Sequence, residues 1–184
     1  MPRSRPLILL VCTGNVCRSP AAEYLLKSEL ADLGIDVASA GVEAIPEQPI
    51  DPLYATLLQQ RGIDASGFRS RWLTAAMPLA ADLVLTATSA HRAAVTRMLP
   101  PVLHRTLTIK QLARYVPQIL NSPPPFDPAA RISWILGELP RARSMTLREG
   151  SDSLEDPIGK SQRTYESVFA EIEKATGQIA SLFT

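Results

Sequence analysis

Five consecutive apolar residues, Leu7-Ile8-Leu9-Leu10-Val11, run without a break into Cys12-Thr13-Gly14-Asn15-Val16-Cys17-Arg18-Ser19-Pro20. An unbroken apolar run of this length marks a strand covered on both faces, which requires helices above and below a mainly parallel sheet. Ser19-Pro20 then reads as a helix start, because Ser caps well and Pro is tolerated in the first turn. Ala22, Leu25, Leu26, Leu30 and Leu33 recur at helical spacing, Gly34 ends the helix, and 35–40 reads as a second strand. A strand, loop, helix and strand in that order open a parallel α/β sheet.

The same reading continues along the chain. Asp51-Pro52 starts a helix that runs through Leu57 and Leu58 to Gly62, 82–86 is a third strand, and 89–99 is a helix closed by Pro100 and Pro101. Residues 107–109 form a fourth, short strand. Tyr165, Val168, Phe169, Ile172, Ile179 and Leu182 make one apolar stripe on a C-terminal helix. The fold expected is a three-layer α/β/α domain spanning 1–184, with a small, mostly parallel four-stranded sheet. Between about 116 and 153 the pattern breaks, punctuated by Pro117, Pro123, Pro124, Pro125, Pro128 and Pro140, so an irregular Pro-rich insert is expected, with a short helix at 129–139.

Composition excludes several function classes. A net charge of +1 with no basic run gives no footprint for nucleic acid. The opening Met-Pro-Arg-Ser-Arg-Pro is basic, but the apolar run after it is too short for membrane insertion and leads straight into Cys12, which favours a buried strand over a signal peptide. The two cysteines, Cys12 and Cys17, fit a reducing, cytoplasmic setting better than a disulfide scaffold. No His neighbours them in sequence, so neither a metal site nor a cofactor is expected.

The loop itself carries the chemistry. Cys-x5-Arg between a strand and a helix can curl so that backbone N–H groups of Thr13, Gly14, Asn15, Val16 and Cys17 face inward as an anion nest. The helix adds positive charge at its N-terminus, and Arg18 offers a planar fork for two phosphate oxygens. Groups that hold an oxyanion also stabilise a thiolate, so Cys12 is the expected nucleophile, with the Ser19 hydroxyl donating to its sulfur. Gly14 and Asn15 tolerate the positive φ that a tight loop needs.

These residues resemble the low-molecular-weight protein tyrosine phosphatases, and the likeness runs in order along most of the chain. Residues 11–20 resemble the family's phosphate loop, and Ser39-Ala40-Gly41 the Ser-Ala-Gly after its second strand. Residues 69–74 are similar to its Arg-x-Arg-x-Leu-Thr stretch, and Glu155-Asp156-Pro157-Ile158-Gly159-Lys160-Ser161 to its Asp-Pro loop. The resemblance implies Asp156 as general acid and a phosphocysteine intermediate. It also implies Ile158 as part of the substrate wall, and an Asn15–Ser39 link steadying the loop. Cys17 would be a redox partner that protects Cys12. The implied substrate is a phosphotyrosine protein. The Lys-Ser and the long final helix look most like the bacterial branch associated with tyrosine autokinases and polysaccharide-export proteins. Arsenate reduction with a small-molecule thiol, or a weakly active phosphotyrosine-binding regulator, are the alternatives. Ile158 and Gly159 stand where many members carry aromatics. Phe68 stands where many carry a loop-steadying His, so a looser loop is expected.

Overall fold

The computed structural model describes residues 5–147 and 150–184; the first four residues of the basic start, and 148 and 149 of the expected insert, lie outside the described residues. Its four strands are β1 (Leu7–Cys12), β2 (Asp36–Gly41), β3 (Leu83–Thr86) and β4 (Thr106–Thr108), paired in the order β2-β1-β3-β4. Every pairing is parallel, with Leu9 opposite Ala38 on one side and Val84 on the other. The alternation of a strand divides β1 between two layers. Ile8 and Leu10 join the larger core, with Leu83 and Leu85, while Leu9 and Val11 join the smaller one, with Val84, Val95 and Val102.

Seven α-helices are described: α1 (Arg18–Glu29), α2 (Pro52–Gln59), α3 (Ala76–Ala80), α4 (Ser89–Met98), α5 (Ile109–Ile119), α6 (Pro128–Met145) and α7 (Gln162–Ala180). The larger core is filled by α1, α2, α5, α6 and α7, with Leu26, Leu58, Leu112, Ile135, Phe169 and Ile172 fully buried in it. Among these residues Leu26→Ala would cost about 2–5 kcal/mol.

Two expectations need correction. The segment between 116 and 153 is not largely irregular: α5 runs through Pro117, and α6 is an 18-residue helix running through Pro140. The α6 face carrying Ile132, Ile135, Leu139 and Ala142 is buried in the larger core, which offsets the hydrogen bond Pro140 removes. The helix α1 begins at Arg18 with Cys17 at its N-cap and no side-chain cap, so Ser19 is not the capping residue. The short helix α3 carries no long apolar period and lacked a sequence signal.

In a sheet of order β2-β1-β3-β4 the chain leaves β1 toward one edge and returns to β3 on its other side. The crevice for a ligand lies outside the carboxyl ends of the strands at that reversal. That crevice is where Cys12 ends β1.

Candidate active site

The Cys12 side chain is 2% exposed, and its sulfur lies 3.0 Å from Ser19 Oγ and 3.3 Å from the backbone N–H of Asn15. Neighbours constrain the Ser19 hydroxyl. Asn15 Oδ1 accepts from the Arg71 backbone N–H at 2.8 Å, which can only donate, so the Asn15 amide group must face the hydroxyls. It donates to Ser19 Oγ at 2.9 Å and to Ser39 Oγ at 2.7 Å. Ser19 therefore accepts from Asn15, and its own proton has two acceptors within reach, the Cys12 sulfur at 3.0 Å and Ala40 O at 3.5 Å.

The network continues away from the loop. Ser39 donates to Glu23 Oε2 at 2.5 Å, and the Glu23 carboxylate also takes Lys27 at 2.5 Å and Arg71 at 3.5 Å. Glu23 is 2% exposed, so a charge from α1 is buried beneath the loop and holds its polar partners in one arrangement. Glu23, with Arg71 beside it, links to Asn15 through Ser39. Phe68 is instead buried edge-on against Tyr24.

The backbone is equally constrained. Asn15 has φ 54°, the left-handed region, whereas Gly14 is absent from the positive-φ glycines among the described residues. Val42 N–H donates to Cys12 O at 2.9 Å, Glu43 N–H to Thr13 O at 3.0 Å, and Asp51 N–H to Val16 O at 2.9 Å. Gly41 lies so close that a Cβ on it would come within 2.3 Å of Thr13 O and 2.8 Å of Asn15 N.

Arg18 is 3% exposed and meets Asp156 across 138 positions of sequence: its terminal nitrogen donates to Asp156 Oδ2 at 2.6 Å. Asp156 is brought there by a segment clamped to the carboxyl end of β3. Leu154 N–H donates to Ala87 O at 2.8 Å, and Ser89 N–H to Ser153 Oγ at 3.1 Å. Just before them, the buried Asp152 bonds Gln111 at 3.0 Å and pairs with Arg114. Ile158 stands on the same loop, half-exposed, its N–H donating to Asp156 Oδ1 at 3.2 Å. Cys17 is buried; burial and the nearby Asp51 carboxylate push its thiol up, so it stays protonated.

One group gave no sign in the sequence. His91, 7% exposed, lies 2.9 Å from Thr13 Oγ1 through Nε2, although 78 positions separate them. Its only local mark is the Thr88-x-x-His91 spacing of a helix cap.

The Cys12–Arg18 loop and the Asp156 carboxylate from the last loop thus meet at the Arg18 guanidinium. The model of the family described as low molecular weight phosphotyrosine protein phosphatase matches residues 7–127. The chain belongs to this family. Its members are hydrolases, and the low molecular weight protein-tyrosine-phosphatase Etp of Escherichia coli (strain K12) is 41% identical over 104 residues, 56% of this chain and 69% of that protein. Among solved structures, the Erwinia amylovora tyrosine phosphatase AmsI shares the fold at 24% identity and TM-score 0.73, covering 98% of this chain and 94% of its own. The YwlE arginine phosphatase from Geobacillus stearothermophilus matches at 27% identity and TM-score 0.70, covering 96% and 91%. Among the described residues, no helix is long and apolar enough to cross a membrane.

Proposed function

We propose that the protein hydrolyses phosphotyrosine in proteins through a phosphocysteine intermediate, with Cys12 as nucleophile, Arg18 as the phosphate clamp and Asp156 as general acid and base. The observation that carries this reading is the Cys12 sulfur, 3.0 Å from the Ser19 hydroxyl and 3.3 Å from the Asn15 N–H, in a loop whose Arg18 meets Asp156 at 2.6 Å. The sulfur attacks phosphorus in line while Arg18 and the loop amides hold the equatorial oxygens. The ester P–O bond breaks, and the Asp156 carboxyl gives its proton to the departing phenolate. The carboxylate so formed takes a proton from water, whose oxygen attacks phosphorus. The S–P bond breaks, and Ser19 receives the returning sulfur anion.

Family membership and the Etp relative support tyrosine as the substrate residue. The likeness to an arginine phosphatase makes phosphoarginine the second reading. The apolar side chains of Val16 and Ile158 favour an aryl ring over a guanidinium. The resemblance of 155–161 to the autokinase-linked branch supports a bacterial cytoplasmic setting, with a tyrosine autokinase or a polysaccharide-export protein as the phosphorylated partner. Arsenate reduction by this route needs an external thiol, because Cys12 and Cys17 are the chain's two cysteines.

The test is steady-state turnover of para-nitrophenyl phosphate, a phosphotyrosine peptide and a phosphoarginine peptide. Cys12→Ser should abolish all three activities. Asp156→Asn should slow phosphotyrosine by about a hundredfold or more and para-nitrophenyl phosphate much less, because the better leaving group needs less help from an acid. Equal slowing of both refutes the acid role, and faster turnover of phosphoarginine than phosphotyrosine refutes the substrate assignment.

A further inference from the structure

We infer that His91 is a positioning residue for Arg18, acting through the Thr13 hydroxyl. The inference deepens the proposed function and rests on its reading of Arg18 as the phosphate clamp. It starts at the N-terminus of α4, where Thr88 is the cap. Thr88 Oγ1 accepts from the His91 backbone N–H at 3.1 Å and also lies 2.9 Å from His91 Nδ1. One hydroxyl thus binds the residue twice, once through its backbone and once through its ring, which fixes the plane of the imidazole. The opposite ring nitrogen, Nε2, then lies 2.9 Å from Thr13 Oγ1 on the phosphate loop.

Thr13 is where this chain meets the clamp. Its hydroxyl accepts from the Arg18 terminal nitrogen at 3.3 Å, the same nitrogen that donates to Asp156 at 2.6 Å. The other terminal nitrogen reaches Leu154 O at 3.5 Å, on the segment that carries Asp156. Arg18 Nε is buried and makes no hydrogen bond among the described residues, so the guanidinium plane is set by its terminal nitrogens. In the proposed reaction Asp156 turns from Arg18 to the leaving oxygen. Of the partners named for those nitrogens, Thr13 is the one on the phosphate loop and independent of the acid segment. A threonine hydroxyl rotates freely unless something holds it, and His91 is what holds this one. Burial and the neighbouring Arg18 push the imidazole down to about 4, against the opposing pull of Asp156, so the ring is neutral at working pH. A neutral ring shares one proton with Thr13 and sets no second fixed charge against the guanidinium.

A buried histidine that merely fills space makes different predictions, and three variants of the full chain separate the two. His91→Gln places an amide within reach of Thr13, His91→Ala removes the contact, and Thr13→Val removes the hydroxyl at nearly constant volume. The readouts are the affinity for inorganic phosphate by calorimetry and kcat and KM on para-nitrophenyl phosphate. His91→Ala should weaken phosphate binding about tenfold, and His91→Gln should restore it to within about threefold. Thr13→Val should reproduce the loss, and adding His91→Ala to it should change nothing further, the signature of two residues acting as one unit. Equal loss in His91→Ala and His91→Gln, or additive losses in the double variant, overturns the proposal. If His91→Ala does not fold, Thr13→Val and His91→Gln decide alone: normal phosphate affinity in Thr13→Val overturns it. Wild-type protein that binds phosphate yet turns over no aryl phosphate would refute the phosphatase reading, while the affinity comparison would still test His91.

Discussion

Gly41 gives the sharpest test of how closely the phosphate loop is fitted to the strand beside it. An alanine Cβ there would lie 2.3 Å from Thr13 O and 2.8 Å from Asn15 N, against the 3.4 Å at which ordinary contact begins. The first separation is short by about 1.1 Å, the difference of those two figures. Gly41 cannot recede to make room, since its N–H is tied to Arg71 O at 2.9 Å and its carbonyl to Leu73 N–H at 2.9 Å. The loop must therefore move by about 1 Å, directly between Cys12 and Asn15. A misplacement of that size costs about a hundredfold in rate when it falls on groups aligned for attack. Overpacking should also cost about 1–3 kcal/mol of stability. Gly41→Ala should thus lower kcat/KM on para-nitrophenyl phosphate by about two orders of magnitude while the protein still unfolds cooperatively. Turnover within twofold of wild type would refute the claim that the loop is held at this contact.

Three further outcomes follow from the same geometry. Glu23→Ala should lower stability by about 1–3 kcal/mol, by stranding the Ser39 hydroxyl, and should reduce kcat because Asn15 loses its anchor; Glu23→Gln should recover most of both in thermal unfolding and turnover assays. His91, held down at about 4 in the fold, binds a proton near 6.5 when unfolded, so the unfolded chain carries more protons between those values and stability falls as pH drops through that window. The loss is at most about 3 kcal/mol; denaturant titrations should show a flatter pH dependence over that window in His91→Gln, and identical slopes would count against it. Peroxide inactivation should be reversed by dithiothreitol in wild type and become irreversible in Cys17→Ala, through over-oxidation of Cys12.

The parts of this site that were legible in sequence are those where the chain does its work locally. Cys12, Arg18 and the residues between them are contiguous, so their spacing, with a strand before, a helix start after and Gly14-Asn15 within, points to an anion nest. Asp156 became legible only through resemblance, since an Asp-Pro pair also stands at Asp51 and Asp127. Ser19 was misassigned as a helix cap because the same residue type suits a cap and a thiolate donor; the fold uses it for the sulfur. Helix α5 was hidden by Pro117, although Thr108-x-x-Gln111 forms a reciprocal capping box at its start. Glu23, His91 and Asp152 had no readable role, because their partners lie 16, 78 and 41 positions away and only the sheet order brings them together.

The 2.6 Å contact between Arg18 and Asp156 sets a carboxylate of the chain itself against the guanidinium. If Arg18 clamps the oxyanion as proposed, an incoming anion competes with this carboxylate for the same terminal nitrogen. Monoanions such as small organic acids offer little more than the carboxylate they would replace, whereas a phosphate dianion brings a second negative oxygen and the loop amides with it. Once displaced, the carboxyl group is free to turn toward the leaving oxygen of the proposed reaction. On the proposed mechanism, arrival of the right anion therefore releases the acid for its task, and selection among anions begins before any bond is broken.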